Sequence, residues 1–198
     1  MTISAGQASG HVDFTLTPDN DSLDEDDETL SLIGSSGTLS FTHTAITIED
    51  DDEKPTVSIS DATATEGSQV SFTIRLNAAS GRDVKVKWQT ADDSSEGAVQ
   101  ATADTDYTSR AATEITIAAG STSETVTVAT LEDAIDEPDE TFAVQLSAPT
   151  NAKLSTTATA TGTITDDDVA PTAITLSVDA DTETVDTQTS VAEGGGAK

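Results

Sequence analysis

The sequence predicts an all-β chain, built as a Greek-key sandwich of about seven strands that recurs in tandem. Three observations carry this. Apolar residues alternate with threonine, serine or charged residues over short runs, as in Phe72, Ile74 and Leu76 or Phe142, Val144 and Leu146, the mark of half-buried strands. No stretch sustains a helical period. A fixed order of landmarks appears more than once along the chain, which makes the unit a repeat.

Taken in order, strands are expected at 56–60, 69–77, 84–90, 113–117, 124–131, 140–147 and 157–165, separated by turn signals. The first follows Pro55, and Thr65-Glu66-Gly67-Ser68 turns the chain into the second. In the third, Val84, Val86 and Trp88 face the core while Lys85 and Lys87 face water, because successive strand side chains point to opposite faces. The fourth ends at Ile117-Ala118-Ala119-Gly120, and the fifth is threonine-rich. Asp139-Glu140-Thr141 opens the sixth, and the seventh stops in Asp166-Asp167-Asp168.

The repeat is cut at both ends. Residues 6–29 and 120–141 both run from a glycine through a polar turn, a threonine-rich strand and an acidic loop to Asp-Glu-Thr. Thr47-Ile48-Glu49-Asp50-Asp51-Asp52 then matches Thr163-Ile164-Thr165-Asp166-Asp167-Asp168. Pro55-Thr56-Val57 and Pro171-Thr172-Ala173 open new units, and Thr65-Glu66-Gly67 is echoed by Ala192-Glu193-Gly194. The expected organisation is therefore the C-terminal part of one unit in 1–52, a complete unit in 53–168, and the start of a third in 169–198. The first part retains Asp24, Glu25, Asp27, Asp50, Asp51 and Asp52 but lacks its early strands, so on its own it leaves a core face and sheet edges open.

Composition narrows the function classes. Of 198 residues, 37 are acidic and 8 are lysine or arginine, for a formal charge of -29. Nucleic acid and anionic membranes need a basic patch that this chain lacks, whereas multivalent cations suit it. No cysteine is present, which excludes disulfides and thiolate metal sites. No apolar run is long enough to span a bilayer, and no secretory leader follows Met1. Export would place this chain inside a longer protein or rely on a signal elsewhere.

The acids are clustered. Residues 19–28, 49–53, 132–140 and 166–168 hold 21 of the 37. A solvated loop face is the plain reading of such runs, and a general adaptation to high salt would instead spread acids over the whole surface. A hard cation is the third reading, because calcium takes 6–8 oxygen ligands in irregular geometry. Topology favours it: the 132–140 loop and the end of the last strand meet at one end of a Greek-key sandwich and form one anionic pocket.

The landmarks Thr65-Glu66-Gly67, Ala103-Asp104-Thr105-Asp106-Tyr107, Ile117-Ala118-Ala119-Gly120, the loop from Leu131 to Phe142 and Ile164-Thr165-Asp166-Asp167-Asp168, in that order, resemble the Calx-β family. The resemblance implies an immunoglobulin-like β-sandwich that binds calcium at one end. Carried over by position, it implies the metal ligands Glu66, Asp106, Glu132, Asp133, Asp136, Glu137, Asp166, Asp167 and Asp168. Glu132-Asp133 stands where an Asp-Asp pair is common in the family, a departure that bears on ion number and affinity. The family occurs in regulatory regions of sodium–calcium exchangers and in long extracellular or bacterial surface proteins.

No enzyme is expected. His11 and His43 read as exposed strand-region residues, and no histidine in the complete unit partners Ser80 for a nucleophilic triad. One Trp and one Tyr do not furnish the sugar platforms of a glycosidase cleft. Gly194-Gly195-Gly196 lacks the lysine of a phosphate loop. The leading expectation is a structural and adhesive repeat of a secreted or cell-surface protein, with calcium ions stiffening its ends. Its partners are then neighbouring repeats and a surface protein or glycan, without nucleic acid or membrane insertion. Two alternatives stand beside it: a calcium-sensing regulatory domain of a transporter or receptor, and a metal-free spacer or carbohydrate-binding module.

Overall fold

The computed structural model describes residues 15–31, 35–36, 39–40, 45–95 and 97–171. His11, His43 and the segment after Pro171 lie outside the described residues. All elements among them are strands. In the leading segment β1 (Glu28–Ser31) pairs antiparallel with β4 (Ala45–Ile48), and β2 (Ser35–Ser36) with β3 (Leu39–Ser40). The sandwich follows: β5 (Thr56–Ile59), β6 (Ala62–Thr65), β7 (Gln69–Leu76), β8 (Val84–Asp92), β9 (Thr113–Ile117), β10 (Ser123–Ala129), β11 (Glu140–Thr150), β12 (Lys153–Leu154) and β13 (Thr159–Thr165). One sheet has the order β10-β7-β5-β12 and the other β6-β13-β11-β8-β9. This is an immunoglobulin-like sandwich.

The seven expected strands are present with ends displaced by up to three residues, and β6 and β12 are additional. β5 and β6 are one extended run bent at Ser60 and Asp61. The first half pairs antiparallel with β7, and the second pairs parallel with β13 in the opposite sheet. Asp61 Oδ1 accepts the Thr161 N–H at 2.7 Å, which pins the crossing. β12 is short and adds to β5 in parallel.

Alternation places the core as the sequence requires. Val84, Val86 and Trp88 are buried between exposed Lys85 and Lys87, and Phe72, Ile74, Leu76, Phe142, Val144 and Leu146 are buried as well. Phe142 is the hub. Tyr107 stacks on it with centroids 4.4 Å apart, and Phe72 meets it edge-on at 5.9 Å. Gly162, opposite Phe142 in the β11–β13 ladder, gives the rings their room: a Cβ there would lie 2.5 Å from the Phe142 ring. Trp88 is 4% exposed and carries Arg110 over its ring at 5.5 Å, so it is a core residue and not a ligand platform.

The registers fix two poles. Thr65 lies opposite Thr165, Gln69 opposite Ala129, Phe142 opposite Asp92 and Glu140 opposite Ile164, so these strand ends share one pole. The β7–β8 turn and the starts of β5 and β10 lie at the other.

Candidate metal centre

Four chain segments deliver carboxylates to the first pole. Glu66 sits in the tight β6–β7 turn, closed by the Ser68 N–H donating to Thr65 O. Gly67 takes φ +69°, a left-handed conformation that costs a residue with a Cβ roughly 1–2 kcal/mol. A Cβ there would also overlap the Glu132 carboxylate. Buried Thr130 ties this turn to the acidic loop: its Oγ1 accepts the Ser68 N–H at 3.0 Å and lies within donor range of Thr65 O and Ser68 O. Asp106 ends the turn that begins at Ala103, with its Oδ2 on the Thr102 N–H at 2.5 Å and its carbonyl on the Leu131 N–H at 2.8 Å. Residues 131–139 form the loop between β10 and β11, and Asp166, Asp167 and Asp168 continue β13.

Three groups of carboxylates result, each with oxygens within 4.8 Å of one another: Glu66 with Asp166 and Asp168, Glu66 with Glu132 and Asp167, and Asp106 with Glu137 and Glu140. Glu66 belongs to two of them. Its pKa is pushed up to about 7, first by burial and then by Asp166, Asp168, Glu132 and Asp133. Glu140 is likewise pushed up to about 7, by burial and by Asp106, with which it forms a hydrogen-bonded carboxyl pair. Burial and Asp133 also raise Glu137. Each shift measures what it costs to hold several negative charges together without a counter-charge.

Of the nine sequence-predicted residues, the structure brings Glu66, Asp106, Glu132, Glu137, Asp166, Asp167 and Asp168 into these groups. Asp133 lines the same cleft, but its Oδ1 is taken by the Ile135 N–H at 2.8 Å. Asp136 is exposed and lies outside all three groups. Sequence reasoning missed Glu140, which it used only as the landmark opening a strand. The signal was present: the same Asp-Glu-Thr step closes the acidic loop at Glu28.

The donor set suits a hard divalent cation. Every candidate ligand is an oxygen, as calcium prefers. Glu66 Oε1, Asp166 Oδ1 and Asp168 Oδ2 are withdrawn from solvent without a hydrogen-bond partner, a costly state for carboxylate oxygens unless a cation satisfies them.

The leading segment carries acids of its own. Asp19, Asp21, Glu28, Glu49, Asp51 and Asp52 line an open cleft beside β4, and Asp27 Oδ1 accepts the Asp50 N–H at 3.0 Å. Asp24 behaves differently. It is 3% exposed and sits against the β7–β8 turn at the second pole of the sandwich.

A Calx-beta domain model matches residues 50–168. Among solved structures, the apo-form Calx CBD1 domain superposes with a TM-score of 0.51 at 21% identity, covering 59% of this chain and 100% of that one. The calcium binding domain CBD12 of CALX1.1 gives a TM-score of 0.50 at 22% identity, over 57% of this chain and 46% of that one. This chain thus spans less than half of the CBD12 chain, and both likenesses speak to the fold. No curated protein matches the chain. With the family model covering more than half of the sequence, and a sandwich that superposes on Calx domains, this chain belongs to the Calx-beta domain family.

Proposed function

We propose that the chain is a calcium-binding structural repeat of a larger secreted or cell-surface protein, with calcium stiffening one pole of each complete unit. The observation that carries this reading is the shared Glu66: one carboxylate, pushed up to about 7, serves two oxygen groups and keeps an unpartnered buried oxygen. Glu66, Asp106, Glu132, Glu137, Glu140, Asp166, Asp167 and Asp168 would hold the ions, with Asp133 at the margin. The ion supplies positive charge that turns mutual repulsion into a cross-link between the β6–β7 turn, the 131–139 loop and the end of β13. A binding role and not catalysis follows from this chemistry. The CBD12 neighbour is named as a calcium binding domain, which supports the ion and also the rival reading of a calcium sensor in a transporter. Membrane helices elsewhere in the parent protein would favour that rival, and further repeats would favour the structural module.

Calcium titration by calorimetry on the full chain tests the site. Binding at micromolar to millimolar calcium is expected, weakened at least tenfold by Asp166→Asn with Asp168→Asn, because two of the hard oxygen donors lose their charge. Heats indistinguishable from dilution up to 10 mM, roughly the weak limit of extracellular calcium modules, would reject the reading.

A further inference from the structure

The second pole of the sandwich holds the one buried carboxylate–arginine contact among the described residues, and calcium has no part in it. Arg82 Nη2 lies 2.5 Å from Asp24 Oδ2, and Nη1 lies 2.7 Å from Asp26 Oδ1. The Asp24 side chain is 4% exposed and that of Arg82 19%, so this pair is largely removed from water, whereas Asp26 is open at 83%. The backbone completes the grip. The Gly81 N–H donates to Asp24 O at 3.1 Å, and Ser80 Oγ donates to the same carbonyl at 3.2 Å while accepting the Arg82 N–H at 3.1 Å. Ser80 itself is 1% exposed. Gly81 is needed for closeness, since a Cβ there would come within 2.5 Å of the Glu25 side chain. Three successive residues of one turn thus each hold one feature of the Asp24-Glu25-Asp26 segment.

The repeat shows what kind of position this is. Counting back from Asp-Glu-Thr, Asp24 stands four residues before Glu28, and Asp136 stands four residues before Glu140. In the sandwich Asp136 is exposed and belongs to no carboxylate group. In the leading segment the same position is buried by a neighbour. The position therefore works as a docking point, and its neighbours in the loop carry the ion-binding oxygens.

We infer that the Ser80-Gly81-Arg82 turn is a recognition surface for the acidic loop of the preceding unit, and that Arg82, acting as a tethered cation, holds that junction without calcium. The partner it fits is an Asp-x-Asp turn with a free carbonyl at its first residue. The guanidinium fork is matched to carboxylates in a way a lysine ammonium is not, and losing it strands a buried carboxylate. Asp136 is the corresponding docking point for a following unit that carries such a turn. The inference stands apart from calcium binding at the first pole.

Amide hydrogen exchange on the full chain, read by NMR in chelator and in calcium, tests it. In chelator the Gly81 amide is expected to exchange about tenfold or more slower than in an unstructured peptide, with no further gain from calcium. Arg82→Ala should abolish that protection, Arg82→Lys should restore only part of it, and Asp24→Asn should weaken it while sparing the backbone contacts. Persisting protection of the β7 and β8 amides in each variant would show that the sandwich itself is intact. Asp166→Asn with Asp168→Asn should leave Gly81 unchanged, so failure of the calcium site and failure of the junction are separable. A Gly81 amide unprotected in chelator, or protection that needs calcium and survives Arg82→Ala, overturns the inference.

Discussion

Glu66 and Gly67 show how much of the pole rests on two neighbouring residues. Gly67→Ala is expected to destabilise the chain by roughly 1–2 kcal/mol through its left-handed backbone. It should also push Glu132 out of its group, so calcium affinity falls together with melting temperature. A parallel variant, Glu132→Ala, should lower affinity without the stability loss, and titration calorimetry with melting separates the two effects. The raised carboxyls give a pH signature with a definite sign. Glu66 and Glu140 hold protons more tightly in the folded state, at about 7, than their model value of 4.5. Without metal, stability is therefore greatest toward pH 5 and is lost as pH rises through 7. With calcium the dependence reverses, because protons compete for the same oxygens. Asp93 and Asp104, lowered by hydrogen bonds from Ser95 and Ser109, lose their contribution only below 3.8 and stay outside this window. Melting curves at pH 5.5, 6.5 and 7.5 in chelator and in calcium check both directions.

At the scale of elements, β11 and β13 form the platform that aims the acids. Phe142→Ala removes the ring on which Tyr107 and Phe72 pack and should cost about 3–5 kcal/mol. Gly162→Val, which forces a branched side chain against both phenyl rings, should cost about 1–3 kcal/mol. Denaturant midpoints measure both. The strands carrying large apolar residues on one face were legible in the sequence, because Val84-Lys85-Val86-Lys87-Trp88 alternates too clearly to be anything else. β6 was not legible: Ala62-Thr63-Ala64-Thr65 alternates, yet its small side chains give little contrast between faces. β12 is two residues long and is fixed by its tertiary partner β5. The acidic loop shows the same boundary. Its charge marked the pole, but a loop has no period, so Asp136 and Glu140 were not distinguishable by spacing. Strand register decides: Glu140 pairs with Ile164 and is drawn into the pole, while Asp136 stays outside it.

Over the whole molecule, the two poles answer the same electrostatic problem differently. The chain carries a formal charge of -29 with only 8 basic residues, so it cannot neutralise its acidic loops one by one. At the second pole it spends Arg82, a buried side chain with two carboxylate partners, on a contact between segments. At the first pole no lysine or arginine pairs with the three carboxylate groups among the described residues, and the charge is left for an ion to balance. Repulsion there is a local strain on the metal-free sandwich, and an ion that binds only the folded pole relieves it and adds stability by mass action. In a longer array, arginine contacts and ion sites would alternate along the chain, so calcium would stiffen the units without being needed to join them.

Thermal unfolding of the full chain in calcium, in magnesium and in chelator tests this most directly. At a hundred times the dissociation constant, binding adds about 2.7 kcal/mol, so calcium should raise the melting temperature by roughly 10 °C. Magnesium should do far less, because it demands octahedral geometry and gives up water reluctantly. Asp166→Asn with Asp168→Asn should remove the calcium effect. A melting temperature unchanged by millimolar calcium would contradict the account and leave the pole as a solvated acidic surface.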